Sequence, residues 1–447
     1  MDWEMLMSPA RLRDSSTGQP LDRTQFQRDY DRIIFSKPFR RLQKKTQVFP
    51  LPEHDFIHTR LTHSLETSCI GRSLGMLAGK EIISKNTNLK KTGLSDYDFA
   101  AVVSAASVAH DLGNPPFGHS GEDAISDFFN SEEGKSLIKD LTPKQKLDLQ
   151  NFEGNAMGFR LLAYTLPGNS SNKGGLNLTY ATLGAYSKYP CEMMSNKLPD
   201  ASGKKHGFFQ SQKDSFIQVA DALGMKRKAE SHGTIAYYRH PLAFLVEAAD
   251  DISYLIMDLE DGYNLKLISE KDIINIFNSL IIGKYNQTVY CNIIDSREKV
   301  AFLRANAISS LINQCITVFD ANLPDIMEGK YDRALKNEIE KSKELKNLRD
   351  LCEKEIYKYR KVLEIEAAGF EVIGGLLRDF INSLKGTSNR CAKIKSLLPE
   401  HYIIKNTDTP DLWYEAILHI VQFVAGMTDT FAIETYRSIK GIRLPNC

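Results

Sequence analysis

One stretch restricts what this chain can fold into more than any other: FAAVVSAASVAHDLGNPPFGHSGE, residues 99–122. Its first ten residues are small and apolar, the composition of a helix enclosed on all sides. A His–Asp pair, His110-Asp111, ends that helix, and burying such a pair is expensive unless something satisfies it. Gly113 and Pro115-Pro116 then stop the helix and turn the chain. Neighbouring residues stand about 100° apart on a helix, so the pair reaches one ion together most easily from a helix end. A capped end with a satisfied histidine is the structural alternative for the pair alone. A short helix over 121–129 follows, with His119 and Glu122 set at i, i+3.

Two further stretches supply groups of the same kind. TRLTHSLE, residues 59–66, opens a helix running to about Ile83, and on it Arg60, His63 and Thr67 share one face. An arginine one turn before a ligand-type histidine suits an anionic substrate. PLAFLVEAADDISYLIMDL, residues 241–259, is apolar almost all round, which predicts burial. Within it Asp250, Tyr254 and Asp258 recur at i, i+4 and i+8, and acids are seldom buried without a partner. His63, His110, Asp111 and Asp250 thus offer two imidazoles and two carboxylates. Mixed N/O ligation without thiolate suits one divalent ion, manganese or magnesium first, with iron, cobalt or nickel also compatible. Four ligands on a six-coordinate ion leave two positions for water and a substrate oxygen, the arrangement of a hydrolytic metal site.

The remaining chain is helical by pattern. Residues 22–49 carry a basic cluster, Arg40, Arg41, Lys44 and Lys45, which reads as a solvated helix face. His54, Asp55 and His58 read as surface loop residues, and 168–175 (GNSSNKGG) as a plain connector. Residues 191–215 are irregular and contain Lys197, Lys204, Lys205 and Lys213, as in a mobile lid. Helix-type recurrence marks 273–282, 297–323, 331–363 and 413–441, and the charge-rich run 330–361 reads as a solvated face. This predicts an all-α protein with a helical core over 1–262 and a C-terminal helical region over 263–447.

With 447 residues, 42% apolar and 25% charged, the chain has an ordinary globular composition. A net charge of +1 excludes a global nucleic-acid or membrane signature. The most apolar stretches are too short to span a bilayer. Seven cysteines without a C-x-x-C pair read as reduced thiols, and the predicted location is cytoplasmic.

The order H…HD…D is the pattern of HD-superfamily phosphohydrolases. With its flanks, FRRLQKKTQVF (39–49), RLTHSLE (60–66), AHDLGNPPFGHSGE (109–122), FEGNA (152–156), GLNLTYATL (175–183), KYP (188–190) and HPLAFLVEAADDISYLIMDLED (240–261), the chain resembles the deoxyguanosinetriphosphate triphosphohydrolase family. The resemblance spans about residues 25–262, with a weaker echo at AGMTD (425–429). It implies an HD-domain core that hydrolyses a dNTP at the α-phosphorus to deoxynucleoside and intact triphosphate. By matching position it implies His63, His110, Asp111 and Asp250 as metal ligands, and His119, oriented by Glu122, as acid for the 5′ oxygen. It further implies phosphate contacts by Arg60, Asn177, Lys188 and Lys205, and sugar and base contacts by Gln47 and Val48. Tyr254 matches a ring that excludes a 2′ hydroxyl, and Asp258 a partner for the 3′ hydroxyl. A homo-oligomer, a hexamer by this resemblance, and a nucleotide or single-stranded DNA effector also follow from it. The rival readings are a superfamily enzyme acting on a guanosine polyphosphate or nucleoside monophosphate, and a non-catalytic nucleotide or single-stranded DNA sensor.

Overall fold

The computed structural model describes residues 1–13, 23–49, 57–164, 175–193, 201–228 and 233–442. Among them the chain forms 21 α-helices and no strand, an all-α fold. The expectations for His54, Asp55, Lys197 and the loop 168–174 lie outside the described residues.

Two long helices form the centre. Helix α1 (Arg60–Lys85) begins at Thr59, whose side chain caps the Thr62 N–H. Helix α2 (Asp96–Ala109) begins at Ser95, whose N–H and hydroxyl both donate to Asp98. The two lie unusually close because α1 turns Gly71, Gly75 and Gly79 toward α2. A Cβ at Gly75 would stand 2.8 Å from the Phe99 carbonyl oxygen. The small residues of 99–109 are the other half of that fit, and nearly all are fully buried. Helix α2 ends at Ala109, so His110 and Asp111 project from the turn beyond it.

Helix α3 (His119–Asn130) starts at the histidine itself, two residues earlier than the spacing predicts. Helices α4 (Gly154–Ala163) and α5 (Pro241–Asn264) complete the walls of the central cavity, α5 packing against both α1 and α2. The C-terminal half contributes α6 (Ser296–Glu328), α7 (Ser342–Glu355), α8 (Arg360–Lys385), α9 (Pro410–Ala425) and α10 (Asp429–Ile439). The expected helical run 331–363 is broken between α7 and α8. The run 413–441 bends by 114° at the α9–α10 corner. No single helix among the described residues is long and apolar enough to cross a membrane.

The apolar interior falls into two clusters that do not divide at residue 262. One unites α1, α2 and α5 with residues 268–362. The other joins residues 117–157 to α8, α9 and α10. Helix α3 is therefore packed against the C-terminal helix α8 rather than against the helices that precede it.

Two surface expectations are overturned. Lys45 is buried, its ammonium donating to the carbonyls of Asn114 (2.5 Å) and Ala425 (2.7 Å). His58 is clamped between Asp261 (2.8 Å) and Glu66 (3.3 Å). Burial opposes its charge, but these two carboxylates outweigh burial and raise its pKa to about 10. Both residues carry polar chemistry typical of a surface, and each turns inward because a carbonyl or carboxylate partner waits there.

Candidate active site

His63 stands one turn into α1, His110 just past α2, and Asp250 in the middle of α5. Asp250 Oδ1 lies 3.4 Å from His63 Nε2 and 3.4 Å from His110 Nε2. Asp111 Oδ1 lies 3.4 Å from His110 Nε2. These spacings are too long for strong hydrogen bonds. Donors on one ion at about 2.1 Å, at right angles, sit about 3.0 Å apart, so a small contraction suffices. His110 Nδ1 meets the Ser107 carbonyl oxygen at 2.7 Å. A proton on Nδ1 leaves Nε2 a bare lone pair, and Nε2 is buried without a hydrogen-bond partner. An imidazole that donates one N–H to a backbone carbonyl and keeps its other nitrogen free for an ion is the usual arrangement of a metal-ligand histidine. The donor set therefore fits a divalent cation, with His63, His110 and Asp250 as its tightest three members.

Asp111 borders this group and is held on both oxygens. Arg60 Nη1 donates to Oδ2 at 2.8 Å, and Asn114 Nδ2 donates to Oδ1. Burial alone would raise its pKa, but Arg60, then His110 and His63, hold it below the ordinary carboxylate value. Asp250 is held well below for the same reason, with His110, His63 and Lys188 offsetting burial. Both groups are thus carboxylates across the physiological range. Lys188 lies 3.6 Å from Asp250 and 3.7 Å from Glu247, and Arg239 pairs with Glu247 at 2.6 Å.

His119 faces the same cavity from α3. Its Nδ1 lies 3.0 Å from Glu122 Oε2, and that bond raises its pKa. Glu122 Oε1 accepts the Gly154 N–H at 2.7 Å. The turn delivering His119 contains Phe117 at φ 64° and Gly118 at φ 62°. A Cβ at Gly118 would come within 2.7 Å of Arg60 Nη2, so the turn and the arginine need a bare backbone there. Gly154 is as confined. A Cβ on it would stand 2.2 Å from Asn114 Oδ1 and 2.6 Å from Glu122 Oε1.

A cavity of about 450 Å³ gathers Gln47, Arg60, His63, His110, Asp111, His119, Glu122, Lys188, Lys205, Asp250 and Tyr254 on one wall or another. Lys205 reaches it paired to Glu153 at 2.9 Å. An apolar annex of about 230 Å³ shares Gln47, His119 and Tyr254 and adds Val48, Phe117, Val362, Ile365 and Glu366.

Two expected members are placed elsewhere. Asn177 is not on the cavity wall: it sits at φ 49° with its carbonyl held by Arg11. Asp258 is also off the wall, because Tyr357 lies in between and donates its hydroxyl to Oδ2 at 2.6 Å. Burial pushes the Asp258 pKa up to about 8, which favours its neutral form. At the end of the stretch expected to be a lid, Lys213 pairs with buried Glu192 and begins a helix over 213–222.

Conversely, Lys336, Arg349, Glu353 and Tyr357 line the cavity from the run expected to be a solvated face. Leu345, Leu348 and Cys352 bury one edge of α7, which leaves its charged edge over the cavity mouth. The Tyr254 and Tyr357 rings stack with centroids 6.0 Å apart. Arg349, Glu353 and Tyr357 recur at four-residue intervals beside that apolar stripe, a spacing that a solvated helix face shows equally well.

An all-α core that gathers a His…His-Asp…Asp set from two helices and the turn that ends a third defines an HD-domain protein. The description Phosphohydrolase-associated domain matches residues 335–438. A deoxyguanosinetriphosphate triphosphohydrolase-like protein of Synechocystis is 39% identical, covering 99% of this chain and 100% of its own. One of Pseudomonas aeruginosa is 36% identical over 100% of both. A deoxyguanosinetriphosphate triphosphohydrolase of Cronobacter sakazakii is 28% identical over 93% of this chain and 94% of its own. The chain belongs to the deoxyguanosinetriphosphate triphosphohydrolase family.

Proposed function

We propose that this protein is a metal-dependent dNTP triphosphohydrolase that converts dGTP and water to deoxyguanosine and inorganic triphosphate. The observation that carries the reading is the shared cavity, with a cation cradle, a carboxylate-held imidazole and a fringe of basic side chains on its walls. Family membership with relatives named for this activity agrees with it.

A divalent ion held by His63, His110, Asp111 and Asp250 would supply Lewis acidity toward a phosphoryl oxygen and lower the pKa of water. Manganese and magnesium suit the donors, as do iron, cobalt and nickel. Arg60, Lys188 and Lys205, with Lys336 and Arg349 from the C-terminal half, offset the charge of the triphosphate. Water adds to the α-phosphorus and gives up a proton to solvent as the bond to the 5′ oxygen breaks. His119 gives its Nε2 proton to that oxygen while Glu122 holds Nδ1–H, and solvent restores the proton. The Tyr254 ring, stacked on Tyr357, fills the space a ribose 2′ hydroxyl would need, and Asp258 fixes Tyr357 from behind.

The annex supports guanine as the base. Its walls are mostly apolar, and its polar groups include Gln47 and the Glu366 carboxylate. Guanine alone among the four DNA bases sets an N1–H beside an exocyclic amine, two donors that one carboxylate accepts together.

The test is product analysis with each dNTP and with GTP, under manganese or magnesium. The expected result is deoxyguanosine plus intact triphosphate, with dGTP the fastest substrate. Release of orthophosphate or pyrophosphate instead would overturn the reading.

A further inference from the structure

Asp429, at the start of α10, is nearly 400 residues from the first segment it touches, and none of the roles above uses it. It is 1% exposed, yet its carboxylate accepts three hydrogen bonds. Oδ2 takes the Thr46 N–H at 2.9 Å and the Thr46 hydroxyl, and Oδ1 takes the Phe117 N–H at 3.2 Å. Each partner adjoins a cavity residue. Thr46 precedes Gln47, and Phe117 is two residues before His119.

Phe117 is also the residue whose backbone most needs holding. A bulky side chain at φ 64° is strained and persists only where surroundings enforce it. Two contacts enforce it here, and both come from the C-terminal half. Asp429 accepts its N–H, and α8 brings Gly369 against its ring, where a Cβ would stand 3.0 Å from Cδ2.

The corner that carries Asp429 is itself fixed to the same N-terminal segment. Arg41 donates to the Gly426 carbonyl at 3.0 Å and Lys45 to the Ala425 carbonyl at 2.7 Å. Two cations thus meet the carbonyl end of α9, where the helix dipole favours them. Lys45 also donates to the Asn114 carbonyl, at the turn that separates Asp111 from Phe117. The α9–α10 corner is therefore registered against residues 41–46, and Asp429 passes that register to the turn before His119.

We propose that Asp429 is a positioning residue for His119: the C-terminal half, through this carboxylate, sets where the acid stands. The proposal rests on the reading of His119 as the acid for the 5′ oxygen. Misplacing a reacting group by about 1 Å costs on the order of 10²-fold in rate. Asp429→Asn keeps the shape but puts an amide donor where three donors converge, so the turn loosens.

Three measurements test it on the full chain: metal content, kcat and KM for dGTP, and kcat for a dGTP analogue with sulfur in place of the 5′ oxygen. A thiolate leaves without a proton, so a defect confined to the acid disappears on that substrate. Asp429→Asn is expected to retain its metal and a KM within about threefold of wild type, while kcat on dGTP falls about 10–100-fold. On the sulfur analogue its kcat is expected to approach wild type, as that of His119→Ala does. Equal losses on both substrates for Asp429→Asn, with recovery for His119→Ala, would overturn the brace and leave the acid standing. Equal losses for His119→Ala as well would overturn the acid assignment itself. Should Asp429→Asn lose its fold or its metal, Gly369→Ala decides, because it presses on Phe117 from the other side. Its kcat on dGTP is expected to fall with recovery on sulfur, and wild-type behaviour there would overturn the proposal.

Discussion

The metal cradle and the rim opposite it border one cavity but are held by different physics. His63, Asp111 and Arg60 are buried, and each is oriented by a neighbour from another helix or turn. Arg349 and Glu353 on the rim are about half exposed and are paired mainly with each other along α7. A buried network cannot shift without stranding a charge, whereas an exposed i, i+4 pair contributes little and exchanges partners readily. On the proposed function, the cradle is the fixed part of the site and the rim the adjustable one. Changes to the cradle should therefore remove activity on every substrate, and changes to the rim should alter which substrate is used.

The sharpest test of that contrast is Asp111→Ala, expected to lose bound metal by elemental analysis and all detectable turnover with every dNTP. It strands Arg60 as well, so a stability loss on the order of 3 kcal/mol should appear in denaturant unfolding. Full metal occupancy in this variant would break the picture of the cradle.

Next in size is His119→Ala, expected to keep its metal while kcat falls about 10²–10⁴-fold. Because Glu122 raises the imidazole pKa, kcat in wild type should decline only as pH climbs past an ordinary histidine value. Glu122→Gln removes that support, so the decline should begin at lower pH. A pH profile unmoved by Glu122→Gln would separate the two residues functionally.

Tyr254→Ala should narrow the preference for dGTP over GTP by about tenfold or more in kcat/KM, chiefly by admitting ribose. Equal use of both nucleotides by wild type would remove Tyr254 from that role. Arg349→Ala is a smaller change: losing one charge-assisted contact of about 1.5 kcal/mol raises KM roughly tenfold with little effect on kcat. A pure kcat effect would place Arg349 with the cradle.

The smallest effect on activity belongs to His58, whose consequence is for stability. Its folded pKa of about 10 exceeds the ordinary histidine value, so its contribution is complete below about pH 6.5. That contribution is lost as pH rises toward 10. His58→Asn should flatten the fall in Tm over this window, and an unchanged slope would show that the Asp261 and Glu66 contacts do not stabilise the fold.

How much of this was legible follows from where the forces act. His63, His110-Asp111 and Asp250 could be read because each sits at a helix end or in an apolar helix, where a polar residue needs a reason. Local sequence carries that conflict by itself. Lys45 and Arg349 could not be read in the same way. Both lie in charged runs whose composition equals that of a solvated helix, and only tertiary packing decides that Lys45 turns inward and that α7 lays its charged edge over the cavity. Asp258 shows the reverse failure. Its spacing from Asp250 was right for a wall residue, but Tyr357, 99 residues on, intercepts it. The all-α class was plain from periodicity, whereas the pairing of α3 with α8 depends on contacts more than 200 residues apart.

Gly154 has no side chain, yet a Cβ there would press at once on the amide that steadies Asp111 and on the carboxylate that steadies His119. In a saturation screen it should therefore be as intolerant as a metal ligand, and no second change at one neighbour should rescue it. A single added methyl group meets both catalytic supports at once, so repairing either leaves the other displaced. The position is a veto written in volume, invisible to any search for reactive groups.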